Sequence, residues 1–241
     1  MKKIIIIALS IVMVSSLLCG CVSVRPLNVV AGKGDPVVKE YTVGGYDKIR
    51  IEGYADVRYY ASPSDVVTLE IQPNLLDYCV VEVVGGELVF RTTKTITTTI
   101  TPVLTVSAPV LTSMAFSGAG YFTAYDKVTS DSFSLSVSGA GGGKAELSVK
   151  DLSIHIAGAG GFELSGTADA ADITMSGTGS VNALSLETRN TSVAMSGVGT
   201  VKVNCTETLK INGSGAGTVE YKGSPNVDLE RAGLVTIKHA D

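Results

Sequence analysis

The chain has 241 residues, 45% of them hydrophobic, with 19 basic against 23 acidic side chains and no tryptophan. That length suits one large domain, and the acidic balance excludes the concentrated basic surface that nucleic acid demands. The four cysteines lack zinc-ligand spacing, and no sequence motif calls for a cofactor.

In chain order, the first element is a targeting segment. Lys2 and Lys3 precede an apolar run over residues 4–18, too short for a comfortable bilayer span and well sized for a signal-peptide core. It runs into Leu18-Cys19-Gly20-Cys21, a lipobox pattern that predicts residues 1–20 as a lipoprotein signal peptide and Cys21 as the lipidated residue. An ordinary signal peptide cut elsewhere, or an uncleaved anchor, is the alternative. Cleavage before Cys21 removes Lys2 and Lys3, which leaves 17 basic against 23 acidic residues and a formal charge of −6. Acyl chains would then anchor the protein to a membrane without a spanning helix. Val22 after the lipidated position favours outer-membrane sorting. The run Val22-Ser23-Val24-Arg25-Pro26 carries no acidic export tract, so surface-exposed and periplasm-facing placements both stay open. Residues 21–36, with Pro and Gly and no period, read as a linker.

Residues 37–241 read as a single β domain, of which 37–108 supply N-terminal strands. Ile49 and Ile51, then Val67, Leu69 and Ile71, alternate with polar neighbours, the period of a half-buried strand. Gly85-Gly86 predicts a hairpin turn, and Leu75-Leu76-Asp77-Tyr78 a single helical turn. The threonine-rich run over residues 92–101 favours extended backbone. It reads as a strand or surface loop, or as a flat hydroxyl array that meets carbohydrate. Cys79 and Cys205 both sit in strand contexts; small buried thiols are the commoner outcome there, and an exported disulfide is the alternative.

From residue 109 to 223 the chain repeats itself. Ser-Gly-X-Gly begins at Ser117, Ser138, Ser176, Ser196 and Ser214, with Ala157 opening a sixth, degenerate copy, at steps of 21, 19, 19, 20 and 18 residues. Around each copy apolar residues alternate with Ser, Thr and scattered charge, as in Phe133, Leu135 and Val137. A unit of ~20 residues is long enough to go once around a flattened or three-sided coil, and no single unit can bury its own apolar face. The expectation is a β-solenoid whose turn positions are Gly118 and Gly120, Gly139 and Gly141, Gly158 and Gly160, Gly177 and Gly179, Gly197 and Gly199, and Gly215 and Gly217. The serines of the motif could pass hydroxyl hydrogen bonds along the stack. Ligand readings of the glycines fare worse. A phosphate loop at GAGGGK (residues 139–144) would need Gly in place of Ser138 and Ser or Thr in place of Ala145. A calcium-binding repeat would need aspartate where Tyr121, Gly142, Gly161, Ser180, Thr200 and Thr218 stand. No metal site follows.

The segments Tyr46–Val57, Val67–Glu70, Asn74–Leu76 and Gly86–Leu88, followed by the SGAG-like series, resemble the bacterial "putative auto-transporter adhesin, head GIN domain" family over roughly residues 43–219. That resemblance implies an exported, often lipid-anchored protein of a kind common in the Bacteroidetes, with an all-β, right-handed parallel β-helix. It carries no catalytic or ligand residue. Two departures stand out: aspartate does not follow the SGAG elements, and Glu230-Arg231-Ala232-Gly233-Leu234 replaces the final repeat, so residues 224–241 read as an irregular C-terminal cap.

The functional expectation is a lipid-anchored adhesion or binding protein of the cell envelope that contacts glycan or protein through its polar surface, without catalysis. A periplasm-facing structural or signalling-support role is the alternative, and a polysaccharide-active enzyme the third reading. Asp169 and Asp172 read as turn residues, His155 as an outward-facing strand residue and His239 as part of the tail. Open solenoid ends would also allow a homo-oligomer.

Overall fold

The computed structural model describes residues 29–64 and 66–240, without the side chain of Arg231. The expected signal peptide and Cys21 lie outside the described residues. Parallel coils stack into a β-solenoid of about seven turns. Each coil contributes alternating inward apolar and outward polar residues, which is why the sequence shows period 2 wherever it is legible.

The first full rung is β3 (Lys48–Ile51) and β4 (Asp56–Ala61). Beneath it, parallel and in register, lie β10 (Ser113–Phe116) and β11 (Ala119–Ala124), then β12 (Val128–Val137) and β13 (Ala140–Ile156). The stack continues through β14 (Ala159–Met175), β15 (Thr178–Met195), β16 (Val198–Gly213) and β17 (Ala216–Lys222). The longest strands bend around the coil. Their bends appear as breaks in the alternation: Val149 is buried, Lys150 and Asp151 are both exposed, and Leu152 is buried again. Three faces result. Residues 132–137, 151–156, 170–175, 190–195 and 208–213 stack on the first, and residues 140–145 with their register partners stack on the second. Residues 128–130, 147–149, 166–168 and 186–188 stack on the third.

Where the sequence suggested an irregular final rung, the coil simply continues. β18 (Asn226–Arg231) pairs parallel with β16, and β19 (Leu234–His239) with β17. The Ala232–Gly233 bend donates both its amides to Gly213 O at 2.9 and 3.0 Å, as each earlier bend does to the rung above. Only the motif's serine and second glycine have changed, and the backbone pattern needs neither.

The N-terminal region is built differently. β2 (Val37–Thr42), β5 (Val66–Ile71) and β9 (Val103–Ala108) form an antiparallel group, while β9 also runs parallel to β4. β6 (Cys79–Val84) and β7 (Glu87–Thr92) form a hairpin whose two-residue turn is Gly85-Gly86, with φ of 59° and 79°. Two successive positive φ values define the turn that matches strand twist, and only glycine adopts them freely. A 3-10 turn over Pro73–Tyr78 buries Leu75 completely. Together these elements cover the top of the core.

The expected linker over residues 21–36 is partly docked. β1 (Val30–Ala31) pairs with β8 (Ile96–Thr97), inside the threonine-rich run. Asn74 adds two bonds, accepting from Lys33 N at 2.7 Å and donating to Ala31 O at 2.8 Å. The two described cysteines are free and buried. Cys205 donates its thiol toward Arg189 O and Thr208 O at 3.2 and 3.1 Å.

Candidate binding face

The Ser-Gly-X-Gly elements lie where the first face meets the second. The first motif residue and the first glycine form the bend; the second glycine already belongs to the next strand. Backbone amides hold the bends together: Ser138 and Gly139 donate to Phe116 O at 2.9 and 3.2 Å, and Ala140 donates to Gly118 O at 2.8 Å. The motif serine contributes little to this. Ser138 Oγ reaches Phe116 O at 3.5 Å, at the long limit of a hydrogen bond, and the serines face solvent. A side chain at Gly139 would place its Cβ 2.1 Å from Gly118 O, and one at Gly179 would sit 2.0 Å from Gly160 O. Eleven of the twelve motif glycines therefore face neighbouring backbone, and Gly141 faces the Phe116 ring. They form no cradle for a ligand.

The threonine-rich run also turns inward. Gln72 is 1% exposed, and its amide needs partners. Gln72 Nε2 donates to Thr99 Oγ1 at 2.8 Å, and Thr98 Oγ1 lies 2.7 Å from Gln72 Oε1. Two of the hydroxyls expected to offer a surface are thus occupied in satisfying a buried amide.

A groove of about 630 Å³ lies on the outside of the first face. Register builds it. Ser132, Asp151, Ala170, Asn190 and Thr208 stack in one outward column, and Ser134, Ser153, Asp172, Ser192 and Lys210 in the next. Between the columns the inward residues shrink from Phe133 and Leu152 to Ala171 and Thr191. Ala170, flanked by Asp151 and Asn190, keeps the middle of the first column shallow. Neutral Ser, Thr and Asn side chains border the groove, Asp151, Asp172 and Lys210 are its charges, and most of the surface it exposes is apolar. Strand spacing puts Lys210 two rungs, roughly 10 Å, below Asp172. Asp172 itself accepts from Thr174 Oγ1 at 3.4 Å.

The other titratable residues noted in the sequence do not converge on this groove. Asp169 sits at a bend and pairs with Arg189 at 3.6 Å. His155 is exposed in the next outward column, between Ser136 and Thr174. His239 packs edge-on against Tyr221, with ring centres 5.0 Å apart. Among the described residues no cluster of three His, Cys, Asp or Glu could hold a metal.

Two features were not read from the sequence. The bends between the third and first faces carry a ladder of alternating charge, with Lys150 2.7 Å from Asp131 and Asp169 below it paired to Arg189. The hydrogen bond from Lys150 holds the Asp131 carboxyl below its usual range. Two adjacent polar residues every repeat are the signal that marks this bend. The second feature is aromatic. Tyr60 and Tyr125 stack at 5.0 Å with rings 3° from parallel, both exposed, on the second face of the upper rungs. Tyr125 follows Ala124, which borders a second groove of about 390 Å³ shared with Lys144, Glu146, Glu163 and Asn182. No repeat signal marks this pair, because the tyrosines lie on different rungs and 65 residues apart.

Several solved structures share the architecture. A putative adhesin from Bacteroides fragilis aligns with a TM-score of 0.82 at 23% identity, covering 88% of this chain and all of that one. A putative adhesin from Parabacteroides merdae aligns at 0.65 with 19% identity, covering 88% of this chain and 99% of that one. A putative lipid binding protein from Parabacteroides distasonis aligns at 0.65 with 21% identity, covering 88% of this chain and all of that one. At these identities the likeness establishes the fold. No curated protein matches the chain. The sequence profile of one family matches residues 45–225, spanning both the N-terminal strands and the repeats, and the chain belongs to that family, described as the putative auto-transporter adhesin, head GIN domain.

Proposed function

We propose that the protein is a lipid-anchored adhesion or binding protein of the cell envelope, acting without catalysis and holding glycan or protein against the first face of its solenoid. The observation that carries this reading is the 630 Å³ groove, open and mostly uncharged, in which Ser, Thr and Asn side chains border a largely apolar surface on a rigid stack. Apolar surface bordered by neutral donors and acceptors, with little charge steering, suits an uncharged ligand that has an apolar face, such as a sugar ring or a neutral peptide segment. The family description and the neighbours named as adhesins point the same way. An enzyme reading has Asp151 and Asp172 to draw on, but both are exposed to solvent, and among the described ion pairs Lys210 joins neither.

The test is a screen of the full-length protein against glycans and extracellular matrix proteins, beside an Ala170→Trp variant that fills the shallow centre of the groove. Binding that drops at least tenfold in the variant supports the reading. Retained binding, or none to any surface tested, overturns it. Protease shaving of intact cells, with a periplasmic lipoprotein as control, separates the two placements. Digestion supports outward exposure; protection until the outer membrane is breached supports a periplasm-facing lipoprotein.

A further inference from the structure

The exposed aromatic rings gather in one place. Among the described residues Tyr54, Tyr60, Tyr121 and Tyr125 are the aromatic side chains that stand in solvent, and all four lie on the second face of the two upper rungs. Tyr60 lies above Tyr125, and their rings stack 5.0 Å apart, close to the strand spacing. One face of the Tyr125 ring is therefore covered by Tyr60, and the other looks down the stack. Thr123 is in register with Lys144, so counting on by two residues places Glu146 below Tyr125. Glu146 directs its carboxylate to Lys127 at 2.7 Å.

Beneath the tyrosines lies the 390 Å³ groove, and a slip in register shapes it. Glu163 pairs with Asn182 and Ser165 with Ser185, so Ala183 and Leu184 together oppose Leu164. This bulge supplies the residue that makes the step from Ser176 to Ser196 20, where the two before it are 19. A bulge bends its strand and interrupts the ladder beside it. The polar column over the groove is left open as well. Lys144, Glu163, Asn182, Lys202 and Glu220 follow one another down the face, each in register with the next. Low in the column Lys202 and Glu220 pair at 2.9 Å. In the groove, among the described residues, the side chains of Lys144, Glu163 and Asn182 make no ion pair or hydrogen bond.

We propose that this groove is a saccharide subsite, in which a sugar ring continues the tyrosine stack beneath Tyr125. A pyranose presents C–H bonds on its faces and hydroxyls around its edge. The C–H bonds suit the electron-rich face of a phenol ring. The hydroxyls, each a donor and an acceptor, need both kinds of partner. Lys144 donates, Glu163 accepts and Asn182 does both, so the three unpaired side chains supply the full set. Lys127 and Lys144 balance Glu146 and Glu163, which favours a neutral sugar over a charged one. A peptide strand has no edge to join here, because β14 is already bonded to a strand on each side. The subsite lies on a different face from the groove assigned to adhesion and does not depend on that assignment.

The experiment is calorimetric titration of the full-length protein with neutral oligosaccharides built from glucose, galactose, mannose and N-acetylglucosamine. At least one should bind, with Tyr125→Ala weakening it about tenfold and Tyr125→Phe, which keeps the ring, staying within about threefold of wild type. Glu163→Ala should weaken it about fivefold. Ala170→Trp, on the first face, should leave it unchanged. Tyr125 and Glu163 are exposed, and an unchanged circular dichroism spectrum verifies the fold of each variant. Absence of binding to every sugar overturns the proposal. So does equal loss in Tyr125→Phe and Tyr125→Ala, which would make the hydroxyl the contact instead of the ring. Binding that falls in Ala170→Trp and not in Tyr125→Ala overturns it while leaving the first-face reading in place. Capture of an extracellular matrix protein that depends on Tyr125, with no sugar bound, overturns it in favour of a protein partner.

Discussion

The repeated coils and the N-terminal region bury their cores equally well by different means. In the stack each rung uses the same contact as the last, amide to carbonyl at the bend and apolar column to apolar column inside. The N-terminal region meets every requirement once: a hairpin turn at Gly85-Gly86, a helical turn around Leu75, a buried amide at Gln72. Stability in a stack is therefore a sum of similar interfaces, whereas in the N-terminal region it depends on single contacts without a duplicate. The same contrast shows at the ends of the stack: Leu75, Leu88 and Phe90 in the N-terminal region are fully buried, whereas Val227 and Leu229 on the last rung are 36% and 46% exposed. Repetition supplies no way to stop, and a closing structure has to be built from something that does not repeat.

If the stack is fixed by backbone approach at its bends, the largest loss should come from a side chain placed there. Gly177→Val puts a Cβ 2.0 Å from Gly158 O and 2.4 Å from Ala157 O, both backbone atoms of the preceding rung. We expect a loss of about 4 kcal/mol or more, beyond the usual range for a point change, read as the denaturation midpoint or as failure to recover folded protein. By contrast Ser176→Ala, at an exposed motif serine, should shift the midpoint by under ~0.5 kcal/mol. Equal losses in both would mean that the serine column carries the bends after all.

In the N-terminal region the next largest effect should follow Leu75→Ala. Leu75 is fully buried under the helical turn, and removing it should cost about 2–5 kcal/mol. A smaller loss, of about 1–3 kcal/mol, is expected for Thr98→Val, which takes the Thr98 hydroxyl from the buried Gln72 Oε1. Adding Gln72→Leu to that variant should recover part of the loss, since an amide without partners costs more than no amide. Equilibrium denaturation of the three variants measures both statements, and a double variant less stable than Thr98→Val alone would contradict the second.

What the sequence disclosed follows the same division. The stack was legible because its steps of 18 to 21 residues carry one bend and one alternation each, so the fold and the inward columns can be read without a structure, whereas of the twelve glycines expected at turns only the first of each pair lies at the bend. The hairpin at Gly85-Gly86 and the turn at Leu75 were legible as local signals. The docking of Val30–Ala31 on the threonine run was not, because it joins residues 66 apart that carry no shared pattern. Nor was the groove. It arises from register between rungs, from where Ala170 and Ala171 fall relative to Asp151 and Asn190, and a one-residue change in step length would move every one of those neighbours. The final rung, where Glu230-Arg231-Ala232-Gly233-Leu234 replaces the repeat, keeps its bend because Ala232-Gly233 supplies the same amide pair.

The smallest expected effect separates the two buried thiols. Cys79, in the N-terminal hairpin, has its pKa raised from 9.0 to about 11 by burial, with Lys39 opposing the shift. The neutral thiol is therefore favoured in the folded state, and its contribution to stability is intact below pH 9. It should decline as the pH rises from 9 through about 11, because the unfolded chain releases the proton first. Burial raises the Tyr41 phenol as well, so wild type alone will not isolate the thiol. Subtracting the profile of a Cys79→Ala variant does: the stability difference between the two should shrink across that window and stay flat below it. Cys205 provides the comparison from the stack, where its thiol bonds to two carbonyls of the bend. If the N-terminal region opens as a separate unit, a thiol reagent should reach Cys79 at denaturant concentrations that leave Cys205 protected. Simultaneous labelling of both would mean that the closing structure and the stack unfold together, and that the unique contacts of one are coupled to the repeated contacts of the other.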